Sequence, residues 1–161
     1  MRTLDTDDLK YLFAAWRMGK VSFDGFEPEG MTADAFIEAF ALFIQERYQV
    51  AYTLIANVPG KGVMPVGVVF GIVPLLGKRI IWCGDFTWFP WASKRNKLES
   101  TVHFLNQVRK EWLVLGFASM DEVPFFEHVC RYGVLRRIGT VFDMLIEGPT
   151  AVFQTRKPYK G

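Results

Sequence analysis

Cysteine is scarce in this chain of 161 residues, with Cys83 and Cys130 the only two, far apart in sequence. A single pair defines no disulfide framework, and neither residue sits in a C-x-x-C metal pattern, so both read as free thiols of a reducing compartment. Histidine is just as scarce: His103 and His128 fall on separate predicted helices with no spaced carboxylate partner, so no metal site is expected. An excess of one charge is also lacking. The 19 Lys and Arg against 17 Asp and Glu leave a formal net charge of +2, too weak a bias to signal nucleic-acid binding. The clusters Lys94-Arg95-Asn96-Lys97, Arg136-Arg137 and Arg156-Lys157 read first as solvated surface. The most apolar run, Val63 to Leu76, is too short to cross a bilayer and contains Pro65 and Pro74. The opening Met1-Arg2-Thr3-Leu4-Asp5 lacks an apolar segment of the signal-peptide kind. The expectation is a soluble cytoplasmic protein without a membrane partner. Internal repeats, low-complexity tracts and linkers are absent as well, which points to one domain over residues 1–161.

Apolar and aromatic residues are abundant. Half the residues are hydrophobic and 16% aromatic, with 15 Phe and 5 Trp. That supply suffices for a core and excludes disorder, which needs low hydrophobicity and high net charge. The aromatic excess also makes an apolar contact surface, and with it a homo-oligomer, an open expectation.

The order of elements follows from periodicity and punctuation. A short strand at Arg2-Thr3-Leu4 precedes the acidic Asp5-Thr6-Asp7-Asp8, whose carboxylates suit a helix start. Leu9, Leu12, Phe13 and Trp16 recur at helical spacing up to Gly19. Residues 20–31 read as a loop. Thr32 then caps a second helix to about Tyr48, with Phe36, Phe40, Phe43 and Ile44 on one stripe. Val50 to Ala56 is β-rich, Pro59 to Gly62 is a turn, and Val66 to Val73 is a strand apolar on both faces. After Gly77-Lys78 a strand runs from Arg79 to Phe89. A helix starts near Asn96 with Glu99 at capping-box spacing, presenting Leu98, Val102, Leu105, Val108 and Trp112 to the core. Leu113 to Met120 is the next strand. Pro124 opens a helix that ends at Gly133, and Val141–Ile146 with Ala151–Thr155 form a terminal hairpin. The result is βααβββαβαββ.

That order resembles the GNAT superfamily of acyl-CoA-dependent N-acyltransferases over nearly the whole chain. The opening Met1 to Leu9 looks like the family's first strand and acidic lead-in to its first helix. Met64-Pro-Val-Gly67-Val-Val-Phe70 resembles its third strand. Phe125-Phe-Glu-His-Val-Cys-Arg-Tyr-Gly133, continuing to Phe142, resembles its closing helix and strands. The resemblance implies an α/β (α+β) fold with a mixed sheet of six to seven strands flanked by about four helices. It also implies that acetyl-CoA, or another acyl-CoA, binds as cosubstrate where the fourth and fifth strands splay, with its pyrophosphate at the start of a helix. Carried onto this chain, the cofactor-binding residues are Trp88, Phe89, Ser93, Lys94, Arg95, Asn96 and Lys97.

The chain departs from the family at two points. The loop Pro90 to Lys97 holds no glycine, where the family's loop carries two small residues whose backbone approaches phosphate closely. Ser93, Lys94, Arg95 and Lys97 offer side-chain contacts instead, and Asn96 tolerates a left-handed backbone. The family's acidic Tyr on the last helix matches Phe126, which has no hydroxyl, and Tyr132 stands in only six residues further on. Asp85 and Glu122 are the best-placed carboxylates for a base, although each also reads as an ordinary turn or surface carboxylate. Cys83 reads as a core thiol. Trp82 and Trp88 read as core, and Trp91 as a pocket or partner residue. Two functions stay open. One is an acyltransferase acting on an amine acceptor. The other is a catalytically inactive GNAT-shaped component with an interaction or assembly role, like GNAT-like proteins encoded by phages.

Overall fold

A computed structural model describes residues 1–23, 25–74, 79–145 and 148–157, apart from the side chains of 84–85 and 143–145. Its elements are β1 (Arg2–Thr3), α1 (Leu9–Arg17), α2 (Ala33–Arg47), β2 (Val50–Val58), β3 (Gly62–Ile72), β4 (Ile80–Trp88), α3 (Lys94–Val108), β5 (Leu113–Ser119), α4 (Val123–Cys130), β6 (Leu135–Leu145) and β7 (Gly148–Thr155). A single 3-10 turn, Thr6–Asp8, leads into α1. The seven strands form one sheet in the order β1-β2-β3-β4-β5-β7-β6. β4 and β5 run parallel, and the other paired neighbours run antiparallel.

Two apolar clusters, one on each face of the sheet, set the layers. On one face α1 and α2 bring Leu9, Leu12, Phe13, Phe36, Phe40 and Ile44 onto Val68, Phe70 and Phe89. On the other, α3 and α4 bring Phe104, Leu105, Val108, Val123 and Val129 onto Leu54, Val69, Ile81, Val114 and Phe153. Each fully buried Phe contributes roughly 1.5–3 kcal/mol of transfer free energy, so the aromatic excess is spent largely inside. The chain's start is tied down by polar contacts. Buried Asp8 accepts from Arg2 Nη2 and from Thr53 Oγ1, both at 2.6 Å, and from the Asp5 amide at 3.2 Å.

The element order read from the sequence stands, with shifted ends. β3 begins at Gly62 and runs through Pro65. The β2–β3 register passes from Leu54↔Gly67 to Ile55↔Pro65, which leaves Val66 as an extra residue. Proline is tolerated at such a bulge because the local ladder is already broken. β6 begins at Leu135, six residues before the expected start. It is an edge strand, so its polar Arg136 and Arg137 lie exposed and mask the pattern. The capping box of α3 is Ser93 with Asn96, not Asn96 with Glu99. Glu99 instead pairs with Arg95 at 2.7 Å across one helical turn. Phe104, not among the expected core residues, is fully buried. Trp82 is a further correction: it is 38% exposed, with its ring 5.9 Å from Phe117. It faces away from the cluster that its strand neighbours Ile81 and Cys83 enter.

Candidate active site

β4 and β5 pair for only four residues each, from Ile80↔Leu113 to Cys83↔Gly116. Beyond that point β4 stays with β3 while β5 continues with β7. The cause is visible in the β3–β4 register, which passes from Gly71↔Cys83 to Phe70↔Asp85 and leaves residue 84 unmatched. A bulge sharpens local twist and swings the strand away from its neighbour. The parallel pair therefore opens where the bulge sits.

A cleft of about 630 Å³ lies beside the opened strands, lined among others by Phe86 and Trp88 of β4, Lys94, Lys97 and Leu98 of α3, and Glu122, Phe125 and Phe126 at α4. Its floor is aromatic. Phe86 stacks with Trp88 at 5.9 Å between centroids, and Trp88 meets Phe125 edge-on at 6.3 Å. Its rim is charged, with Lys94 and Arg95 exposed at the first turn of α3 and the carboxylates Asp121 and Glu122 exposed at the start of α4. Lys97 Nζ stands 5.9 Å from the Trp88 ring. The first amides of a helix have no intrahelical acceptor, so this turn adds a positive dipole end to the cations.

The cleft gathers five of the residues expected at the site: Trp88, Lys94, Arg95, Lys97 and Glu122. Phe89 is not among them. It is buried in the opposite cluster, 5.0 Å from Trp91 and 6.0 Å from Tyr11, because successive side chains of an extended strand face opposite ways. Ser93 and Asn96 serve the helix start. Ser93 Oγ accepts from the Asn96 amide at 3.0 Å and donates to Asn96 Oδ1 at 2.8 Å. Buried Asn96 also donates to the Asn57 carbonyl at 3.2 Å. Asn96 is helical rather than left-handed. Tyr132 lies past the end of α4, 54% exposed, with its ring against His128 at 5.9 Å, and does not line the cleft. Asp85 sits opposite Phe70 on β4, and its side chain lies outside the described residues. Trp91 is an anchor rather than a pocket wall. Its Nε1 donates to the Pro65 carbonyl at 2.7 Å, and its ring meets Tyr11 at 5.7 Å.

Glu122 is held in place. Its Oε2 accepts from the Ser119 amide at 3.1 Å and from Ser119 Oγ at 3.0 Å. Burial pushes the Cys83 thiol up to about 12, which keeps it protonated and a poor nucleophile. Sequence reasoning missed Phe86, Leu98, Asp121, Phe125 and His128 as cleft residues. The spacing Glu122, Phe125, His128 was the available signal, since every third residue lines one side of a short helix. Among the described residues, no group of three or more His, Cys, Asp or Glu side chains could hold a metal, and no helix is long and apolar enough to cross a membrane.

The donor set suits a long, phosphorylated molecule with an apolar arm: cations and helix amides at the mouth, aromatic rings along the floor. No protein-family model and no curated protein sequence matches the chain. Solved structures do. A probable GNAT-family acetyltransferase from Chromobacterium violaceum is 19% identical over 94% of this chain and 84% of its own, with a TM-score of 0.64. A point mutant of the spermidine N-acetyltransferase SpeG from Vibrio cholerae is 13% identical over 95% and 92%, also at 0.64. Ard1 from Thermoplasma volcanium is 11% identical over 95% and 93%, at 0.56. The bulged β4, the opened strand pair and these structural neighbours together establish that the chain has the fold of the GNAT superfamily.

Proposed function

We propose that the protein binds an acyl-CoA in this cleft and transfers its acyl group to an amine. The observation that carries the reading is the loss of β4–β5 pairing after Cys83↔Gly116 beside a cationic, aromatic-floored cleft at the start of α3. Lys94, Arg95 and Lys97 would hold the phosphates, supplying by side chain what a glycine loop supplies by backbone. Trp88, Leu98 and Phe125 would flank the pantetheine arm. Backbone beyond Cys83 no longer has β5 as a partner, which frees β4 amides to polarise a carbonyl. The cosubstrate supplies the activated acyl thioester when bound. Glu122, oriented by Ser119, is the base candidate with described geometry, and Asp85 is the second. Phe126 cannot donate a proton, so water would protonate the departing thiolate. The structural neighbours that act on spermidine make a polyamine the first acceptor to try.

A second reading has its own support. Phe126 lines the cleft without a hydroxyl, and Glu122 spends one oxygen on two Ser119 donors. On that reading the protein binds CoA without transfer and serves an interaction role. Thermal unfolding with CoA or acetyl-CoA tests the binding that both share. A ligand at about 100 times its Kd stabilises by about 2.7 kcal/mol, which is roughly 5–10 °C for a domain of this size. No shift at millimolar CoA removes both. A shift accompanied by release of free CoA thiol with spermidine or other amines supports transfer, and a shift without release supports binding alone.

A further inference from the structure

Two apolar clusters hold the helices to the sheet, yet the sheet carries a third set of apolar side chains that enters neither. Ile81 and Cys83 of β4, Val114 and Ala118 of β5, and Ala151 and Phe153 of β7 point into the cluster under α3 and α4. Strand alternation therefore turns Trp82, Leu113, Leu115, Phe117 and Val152 to the opposite face. The register lays them side by side, with Ile72↔Trp82, Trp82↔Leu115 and Phe117↔Val152 as neighbours and Ile80↔Leu113 beyond. On this side α1 and α2 pack at β2 and β3, through Ala51, Val68 and Phe70. Leu113, Leu115, Phe117 and Val152 belong to that cluster no more than to the other, so both helix layers stop short of them. Polarity is confined to one edge, where Arg136 of β6 lies beside Gln154 of β7 and donates to it at 3.3 Å. Among the described side chains, Arg136 is the one charge that β4 to β7 place on this face.

Ile72 and Trp82 are 39% and 38% exposed, as is Val141 at 38% on the same side, opposite Thr150. Leu113, Leu115 and Phe117 are partly exposed. On side chains of about 150–250 Å² each, those exposures leave roughly 400 Å² of apolar surface open on one copy. A contiguous patch of that size marks an interaction site. An apolar homodimer interface of about 800 Å² per partner takes about 500 Å² of apolar surface from each side. We infer that this face is the contact surface of a homodimer, sheet packed on sheet about a two-fold axis. Area argues for a second copy, because the patch supplies most of the apolar surface such an interface needs. Charge argues the same way. An isologous contact matches a surface to itself, and with Arg136 at the edge the centre brings no like charges together. The candidate cleft is lined from α3 and α4, on the other side of the sheet, so pairing leaves it accessible in both copies. The inference does not depend on what that cleft binds.

Light scattering across a concentration series tests it. The wild type should show twice the mass of one chain at tens of micromolar and dissociate on dilution. Trp82→Lys places a cation in the centre of the contact and should raise the dimer Kd by about thirtyfold or more. Trp82→Gln, neutral and smaller, should weaken the dimer in the same direction and serves if the lysine variant does not fold. Phe142→Lys is the control. Phe142 is 71% exposed, but alternation from Val141 puts it on the other side of β6, so this variant should dimerise like the wild type. A wild type that stays a single chain throughout the series overturns the inference. So does a dimer that keeps its Kd in both Trp82 variants, or one that Phe142→Lys abolishes while Trp82→Lys does not.

Discussion

Gly67→Ala should damage both stability and the cleft, because Gly67 pairs directly with Trp88 across β3 and β4. A Cβ there would lie 2.7 Å from the Thr87 carbonyl oxygen and 2.8 Å from Trp88 Cε3. The first contact is with backbone, which cannot rotate aside, so the strands must separate. The second displaces the Trp88 ring, which packs against Phe86, Phe125 and Lys97. Overpacking of this kind costs about 1–3 kcal/mol. For a domain of this size the corresponding fall in Tm is about 2–12 °C. The cleft floor moves with Trp88, so the thermal shift given by CoA should shrink in proportion more than the Tm itself. Gly116→Ala is the matched control: it adds the same methyl to β5 at an ordinary contact distance, and its ligand-free Tm should stay at or above the wild-type value. A Gly67→Ala protein within about 1 °C of wild type, with a full CoA shift, would refute the argument that this glycine is there to let Trp88 approach.

Lys97→Glu places an anion beside Trp88 at the cleft mouth and should weaken CoA by roughly tenfold at low salt, the effect fading as ionic strength rises because the site is partly exposed; isothermal titration at two salt concentrations measures it, and an unchanged Kd at low salt would count against phosphate binding there. Asp8→Ala strips three hydrogen bonds from a buried position and leaves the Thr53 hydroxyl without its acceptor, so unfolding should become easier by about 2–3 kcal/mol, read from urea midpoints. Cys83 gives a pH signature. Its folded value of about 12 lies above the ordinary 9.0, so the unfolded chain loses this proton first as pH rises. Stability tied to the neutral thiol is therefore complete below pH 9 and declines from there toward pH 12, with a limiting slope of about 1.4 kcal/mol per pH unit. Cys83→Ala should be less sensitive than wild type to alkaline pH across that window, and identical slopes would contradict it.

Elements and layers were legible because they depend on local spacing. Phe36, Phe40 and Ile44 on α2, or Leu9, Leu12 and Phe13 on α1, report their buried face through the helical repeat alone. Ends were less legible where tertiary contacts override local preference. The strand read as starting at Val66 in fact begins at Gly62 and passes through Pro65 at a bulge, and Arg136 and Arg137 hid the start of an edge strand. The cation-rich loop stood out in the sequence, and Lys94, Arg95 and Lys97 do line the cleft. What sequence could not assign was the direction of each side chain within that segment. Trp88 and Phe89 are adjacent and equally aromatic, yet strand alternation sends one to the cleft and the other to the opposite core. Ser93 and Asn96 carried the right chemistry for phosphate, but the helix start claimed them first.

That competition bears on how a glycine-free loop would face the anion of the proposed ligand. In a glycine-rich loop the backbone must serve both the turn and the ligand, which demands positive φ and close approach. Here the Ser93–Asn96 capping box closes the turn with ordinary backbone angles, Ser93 lying at φ −67° and ψ 163°. The Asn96 amide is consumed by Ser93 Oγ, so the loop has fewer amides to offer, and on the proposed function the burden would move to Lys94, Arg95 and Lys97. Cations in the first turn of a helix oppose its dipole by about 0.3–1 kcal/mol each. An anion held among them turns that local penalty into attraction, so ligand binding and relief of helix strain should be coupled. Replacing Lys94 with Glu should therefore raise the ligand-free Tm while lowering CoA affinity, measured on the same samples. A charge reversal that lowers both would mean the basic turn answers to the fold and not to a ligand.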